Sequence, residues 1–221
     1  KIIPSDNSLY FSKTVNLNKT EINKYVSLYL KKPNKYPLFS FVWGRIFKSS
    51  IIKNNNLLFN EELRTFEDVD FNFRYLVSVK EICFVNKKIL NHVLSDIVSV
   101  RVEPNFLGLK TSLKSVETFL KKINISKNIQ YEIAHTYVSY TIVQLVRLGS
   151  RHNIKTHQMT KNLISSIIND KTLQNSLNYY VPLRGDSKII PFLLKLKVVW
   201  LLLYFCKKKG KARYKPKNSK I

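Results

Sequence analysis

The sequence predicts an α/β portion over residues 1–103 followed by an all-α C-terminal extension. Before Pro104, short strand-like stretches such as Ser8-Leu9-Tyr10-Phe11 and Ile82-Cys83-Phe84-Val85 are interleaved with segments of helical spacing. Beyond Glu103-Pro104 only helical spacing persists. The chain of 221 residues is 44% hydrophobic, enough to build a core and to exclude a disordered polymer.

The elements follow in order. Residues 19–30 read as a helix, closed by Lys32-Pro33 and Tyr36-Pro37. The spacing of Phe41, Val42, Ile46, Phe47, Ile51 and Ile52 predicts a short helix or a turn of one, ended by Lys53-Asn54-Asn55-Asn56. Leu57-Leu58-Phe59 reads as a short strand, residues 60–64 as a loop, and residues 66–78 as a helix with Val69, Phe73, Leu76 and Val77 inward. Thr65-Phe66-Glu67-Asp68 has the spelling of a helix-starting capping box. Residues 82–85 and 88–94 read as paired strands turning at Asn86-Lys87. Helices are expected over about residues 107–123, 127–148, 161–168 and 190–208. Three segments result: 1–103, a helical subdomain over 104–186, and an apolar helix with a basic tail over 187–221.

Lys and Arg number 38 against 14 Asp and Glu, a formal charge of +24, which predicts attraction to nucleic acid, an acidic membrane leaflet or phosphorylated substrates. Two cysteines, Cys83 and Cys206, exclude a disulfide framework and a Cys-based zinc site, and fit a reducing, cytoplasmic location. The sequence begins at Lys1 without a signal-peptide pattern and reads as a piece starting within a domain.

Glu61, Glu62, Glu67, Asp68 and Asp70 fall within ten positions of an otherwise basic chain. Acids there either complement a helix dipole and its free N–H groups, or supply a base that takes a proton from an attacking hydroxyl. Composition leaves both open.

Residues 41–52 (Phe41-Val42-Trp43-Gly44-Arg45-Ile46-Phe47-Lys48-Ser49-Ser50-Ile51-Ile52), then Asn56-Leu57-Leu58-Phe59, then Thr65-Phe66-Glu67-Asp68-Val69-Asp70-Phe71-Asn72, stand in the order and spacing of one block of family 2 glycosyltransferases. The chain resembles the C-terminal, acceptor-side portion of that family over roughly residues 35–100. The resemblance implies a partial GT-A-like domain and an inverting enzyme of cell-surface polysaccharide synthesis. Such an enzyme moves a sugar from a nucleotide-sugar donor to a glycan or lipid-linked acceptor. It further implies Asp68 as general base, Glu67 as the acid that places acceptor and base, and Trp43 and Arg45 near acceptor and diphosphate. Trp43 also reads as a core aromatic. Residues 91–99 are similar to the family's loop near the diphosphate, which makes Ser99 a diphosphate-binding candidate and His92 a possible metal or phosphate contact, or a structural strand histidine. A divalent cation, Mg²⁺ or Mn²⁺, is implied by the resemblance alone. Asp68-Val69-Asp70 has the Asp-x-Asp spelling of the family's cation motif, yet sits where the base motif falls, and most of the donor-binding half is absent. His135, His152 and His157 form no ligand set.

Residues 189–206 are mostly apolar but interrupted by Pro191, Lys195 and Lys197, which makes insertion across a bilayer marginal. An interfacial or domain-packed helix is the better reading, with Trp200 and Tyr204 suited to a headgroup boundary and Lys207, Lys208 and Lys209 opening a basic run. Together they predict a peripheral enzyme on the anionic inner face of the cell membrane. Two readings compete with the enzyme: a noncatalytic membrane-associated remnant and a basic nucleic-acid-binding module. The second is disfavoured, since no recognised nucleic-acid-binding signature is present and the cations are dispersed except at the tail.

Overall fold

The computed structural model of the chain describes residues 13–31, 37–63, 65–87, 106–123, 129–151, 157–183 and 185–213. It overturns the expected α/β, GT-A-like class. The described residues hold nine α-helices and one sheet of two four-residue strands, β1 (Val15–Asn18) and β2 (Glu81–Phe84). They run antiparallel, with Val15 opposite Phe84 and Leu17 opposite Ile82. The pair turns Val15, Leu17, Ile82 and Phe84 to one side, but two strands of four residues are too small a sheet to form the central layer of an α/β domain. Leu57-Leu58-Phe59, expected as a strand, forms none: Leu57 is buried, whereas Leu58 is 76% exposed. Residues 88–94, the expected partner of β2, lie outside the described residues.

The chain divides into two compact units. The first comprises residues through Val102 together with Thr111–Lys127. Its first helix, α1 (Lys19–Lys31), starts on a reciprocal capping box: the Glu21 N–H donates to Asn18 Oδ1 (3.0 Å) and the Asn18 N–H to Glu21 Oε2 (2.9 Å). Spacing of i, i+4, i+7, i+8 then turns Ile22, Val26, Tyr29 and Leu30 inward. A one-turn 3₁₀ helix at Pro37–Ser40 and α2 (Ser49–Asn54) replace the single helical segment expected there. The long helix α3 (Glu67–Val77) buries Val69, Asp70, Phe71, Asn72, Phe73 and Leu76. The rings of Tyr29, Phe39 and Phe73 lie 5.8–5.9 Å apart, and Phe119 of α4 (Phe106–Ile123) closes on Phe73 at 5.6 Å. This aromatic cluster is the core that fixes α3. The Lys19 ammonium caps the other end of α3 by donating to the carbonyls of Leu76 (2.9 Å) and Val79 (3.0 Å).

The second unit comprises Glu103–Lys110 and the chain from Asn128 onward. Within it α5 (Ile129–Arg151) packs against α7 (Lys171–Tyr179), α8 (Ile189–Leu196) and α9 (Val199–Arg213), while α6 (His157–Ile168) packs against α7 and α9. The approach of α5 to α9 requires glycine on both helices. A Cβ on Gly149 would meet the Cys206 carbonyl carbon at 2.6 Å, and one on Gly210 would meet Val146 O at 2.7 Å. Helix α7, unforeseen in the sequence, is N-capped by Asp170, whose carboxylate accepts from the Leu173 N–H at 2.9 Å. The single helix expected over residues 190–208 is two. Lys197 adopts φ 57°, and the Lys197 and Val198 N–H groups close back on the carbonyls of Leu194 and Leu193, a Schellman ending in which a lysine stands where glycine is usual. None of the described helices is long and apolar enough to cross a membrane.

Candidate functional site

The first turn of α3 carries three of the five acids singled out above, Glu67, Asp68 and Asp70, while Glu61 and Glu62 lie in a turn ahead of it. The expected capping box does not form there: the residue before the helix is Phe66, with φ 69° and no side-chain cap. A left-handed phenylalanine is a strained start, of the kind that persists where surrounding contacts impose it. With Thr65 out of the capping role, Glu67 and Asp68 enter the helix at its positive end.

Asp68 and Asp70 then part company. Asp70 is 4% exposed and turns inward. Its Oδ2 accepts from Arg74 Nε (2.9 Å) and Nη2 (2.6 Å), and its Oδ1 from the Ser115 hydroxyl of α4. Arg74 also donates to the Leu58 carbonyl at 2.7 Å, so this carboxylate ties α3, α4 and the 57–59 segment together. Asp68 remains half-buried, and its Oδ2 accepts from the Val42 N–H at 3.3 Å. Desolvation raises its pKa above the usual carboxylate value. The Val42 N–H opposes that shift, Glu67 adds to it, and Arg45 acts against it.

The segment that meets Asp68 is held at two further points. Asn72, one turn along α3, donates from Nδ2 to the carbonyls of Phe39 and Phe41, both at 3.0 Å. The Lys48 N–H donates to the Tyr75 hydroxyl at 2.8 Å, and Phe47 sets its ring edge-on against Phe71 and Tyr75. Residues 41–48 are thus pinned along α3 through Asp68, Asn72 and Tyr75. Within this span Gly44 takes φ 70°, the left-handed turn that glycine adopts without steric cost. Trp43 is 46% exposed and stacks on Phe41, ring centroids 4.8 Å apart and 29° from parallel. It is therefore a surface aromatic rather than a core one.

The structure brings Asp68, Arg45 and the Phe41–Trp43 pair to one place, with Glu67 beside Asp68 in the same helical turn. His92 and Ser99 lie outside the described residues. Trp200, Lys208 and Lys209 are exposed and Lys207 half-buried on α9, in the second unit. His135 is a packing residue of that unit, stacked on Tyr180 and 3.2 Å from the Asp186 carboxylate. Asn72 and Tyr75 were not foreseen as positioning residues. The available signal was a lone amide four residues beyond Asp68, between Phe71 and Phe73. Among the described residues no group of three or more His, Cys, Asp or Glu could hold a metal ion, so the implied divalent cation is not assigned to them.

No protein-family model, no curated protein and no solved structure matches the chain.

Proposed function

We propose that this chain supplies the acceptor side of an inverting glycosyltransferase, with the nucleotide-sugar donor bound by polypeptide outside these residues. The observation that carries it is Asp68: a half-buried carboxylate with a raised pKa, held by the Val42 N–H next to the exposed Phe41–Trp43 stack. A general base needs both a proton affinity nearer the working pH and a fixed position, and desolvation and the backbone tether supply them. An indole face suits the C–H face of a sugar ring. In this proposal the acceptor hydroxyl gives its proton to Asp68 Oδ1, its oxygen bonds to the anomeric carbon from the face opposite the leaving group, and the nucleoside diphosphate departs with inversion. Arg45, beside the base, contributes positive charge toward the departing diphosphate, where negative charge gathers as its bond to the anomeric carbon breaks. Any divalent cation belongs to the donor half, and no step here is routed through it. The acceptor is a glycan or lipid-linked saccharide of cell-surface polysaccharide synthesis, and the enzyme works peripherally on the inner face of the membrane.

Acceptor binding is testable on the chain itself. In a Trp200→Phe background Trp43 is the remaining tryptophan. Its emission should be quenched saturably by members of a panel of mono- and disaccharides, and Trp43→Ala in the wild-type chain should abolish binding by calorimetry. An unchanged isotherm for Trp43→Ala would remove the stacking assignment.

A further inference from the structure

The second unit carries an exposed face that its own core does not use. On α9 the buried residues are Leu202, Leu203, Cys206 and Gly210. Trp200 and Tyr204 are 69% and 56% exposed. At 100° per residue, Trp200, Tyr204, Lys207 and Lys211 fall within a sector of about 60°, so two aromatic rings are followed along one stripe by two cations. On α8 the same arrangement recurs. Ile189, Phe192 and Leu196 are 48%, 60% and 55% exposed and share a sector of about 60°, while Ile190, Pro191, Leu193 and Leu194 are buried. Lys195 and Lys197 are exposed next to that sector's end. No acidic residue follows Asp186 in the sequence, so nothing on these helices offsets the lysines.

We infer that the outward faces of α8 and α9 dock on an anionic lipid surface, with Phe192, Leu196, Trp200 and Tyr204 entering the headgroup layer and Lys207, Lys208 and Lys211 meeting lipid phosphates. This rests on the peripheral placement proposed above and names the surface responsible. The charge pattern selects the occupant. A polynucleotide would use the cations but leave the apolar side chains of Ile189, Phe192 and Leu196 without a partner. An anionic leaflet uses both, because rings with a polar edge favour the headgroup boundary and each lysine near the surface adds electrostatic attraction. Neither helix is long and apolar enough to cross the bilayer, so the contact is with its surface.

Sedimentation of the full chain with phosphatidylcholine vesicles, with and without phosphatidylglycerol, tests this. Binding should require phosphatidylglycerol and weaken with salt. Trp200→Ser with Tyr204→Ser should lower affinity by about tenfold or more. Lys207→Gln with Lys211→Gln should lower it roughly 10- to 30-fold. Lys161→Gln with Lys171→Gln, exposed lysines elsewhere in the same unit, should leave it unchanged, and circular dichroism checks that each variant is folded. If the chain binds phosphatidylglycerol vesicles and the α9 variants bind as well as the parent, this face is wrong while the peripheral placement stands. If the parent binds neither vesicle, both fall. If a mixed-sequence oligonucleotide displaces the vesicles and its binding suffers equally in both lysine pairs, the face is overturned in favour of nonspecific charge.

Discussion

Asp68 accepts a hydrogen bond from the backbone N–H of Val42 at 3.3 Å, across 26 residues of sequence, and so joins the start of α3 to the segment that carries Trp43. Its carboxylate is at once a structural acceptor and the candidate base.

The raised pKa of Asp68 has two opposite consequences. For transfer, the acid limb of kcat/KM should have its midpoint above the ordinary aspartate value of 3.8, because desolvation favours the neutral carboxyl. For stability the sign reverses. The native carboxyl holds its proton more tightly than the unfolded one, so stabilisation present below the unfolded value is lost as pH rises through the folded one. Unfolding titrations of wild type and Asp68→Asn should show that loss only in the wild type.

Asn72→Leu removes two hydrogen bonds to Phe39 and Phe41 carbonyls and leaves both acceptors without this donor. We expect destabilisation of about 1–3 kcal/mol in urea unfolding. Saccharide binding should weaken in the fraction that remains folded, because the aromatic stack loses its brace. Binding at wild-type strength in folded Asn72→Leu would show that the stack is positioned otherwise.

Gly149→Ala places a methyl group against the backbone of α9, where no side-chain rotation relieves the clash. Overpacking of about 1–3 kcal/mol should outweigh the gain of up to about 1 kcal/mol from alanine's helix propensity. Thermal unfolding should therefore start earlier. A stabilised variant would mean that α5 and α9 do not approach this closely.

Lys197→Gly relieves a left-handed lysine at the end of α8, and its ammonium is exposed. A gain of about 1 kcal/mol is expected from denaturant unfolding, reduced by glycine's extra freedom in the unfolded chain.

Much of the helical framework was legible because burial here follows spacing. Ile22, Val26, Tyr29 and Leu30, or Val69, Phe73 and Leu76, write the inner face of a helix directly into the sequence. Where an element depends on something other than period, the reading failed. Helix α7 has only Leu173 and Leu177 turned inward among polar neighbours, too sparse a stripe to announce itself. The α8–α9 break falls at a lysine within one apolar run, with no glycine or proline at the break to mark it. At the starts of α1 and α3 the chain has a capping-box spelling; Asn18–Glu21 closes and Thr65–Asp68 does not, because the left-handed turn at Phe66 moves the cap one residue on. The α/β class failed for a similar reason. Leu57-Leu58-Phe59 has strand composition, but strand pairing is a long-range property that composition does not encode. At the site, the acidic cluster was visible, whereas the separation of Asp68 from Asp70 depends on Arg74, Ser115 and Val42, which lie on three different segments.

The most direct test of the proposed transfer compares Asp68→Asn with Asp70→Asn in a polypeptide that also supplies the donor site the proposal requires, measuring acceptor-dependent release of nucleoside diphosphate. Asparagine keeps an oxygen for the Val42 N–H and cannot take a proton, so Asp68→Asn should lower turnover about 10²- to 10⁴-fold with the fold and nucleotide affinity intact. Asp70→Asn weakens the contact with Arg74 and should reduce stability by about 1–3 kcal/mol while the folded fraction turns over near the wild-type rate. Near-normal transfer by Asp68→Asn, with transfer abolished in folded Asp70→Asn, would contradict the assignment of Asp68 as the base.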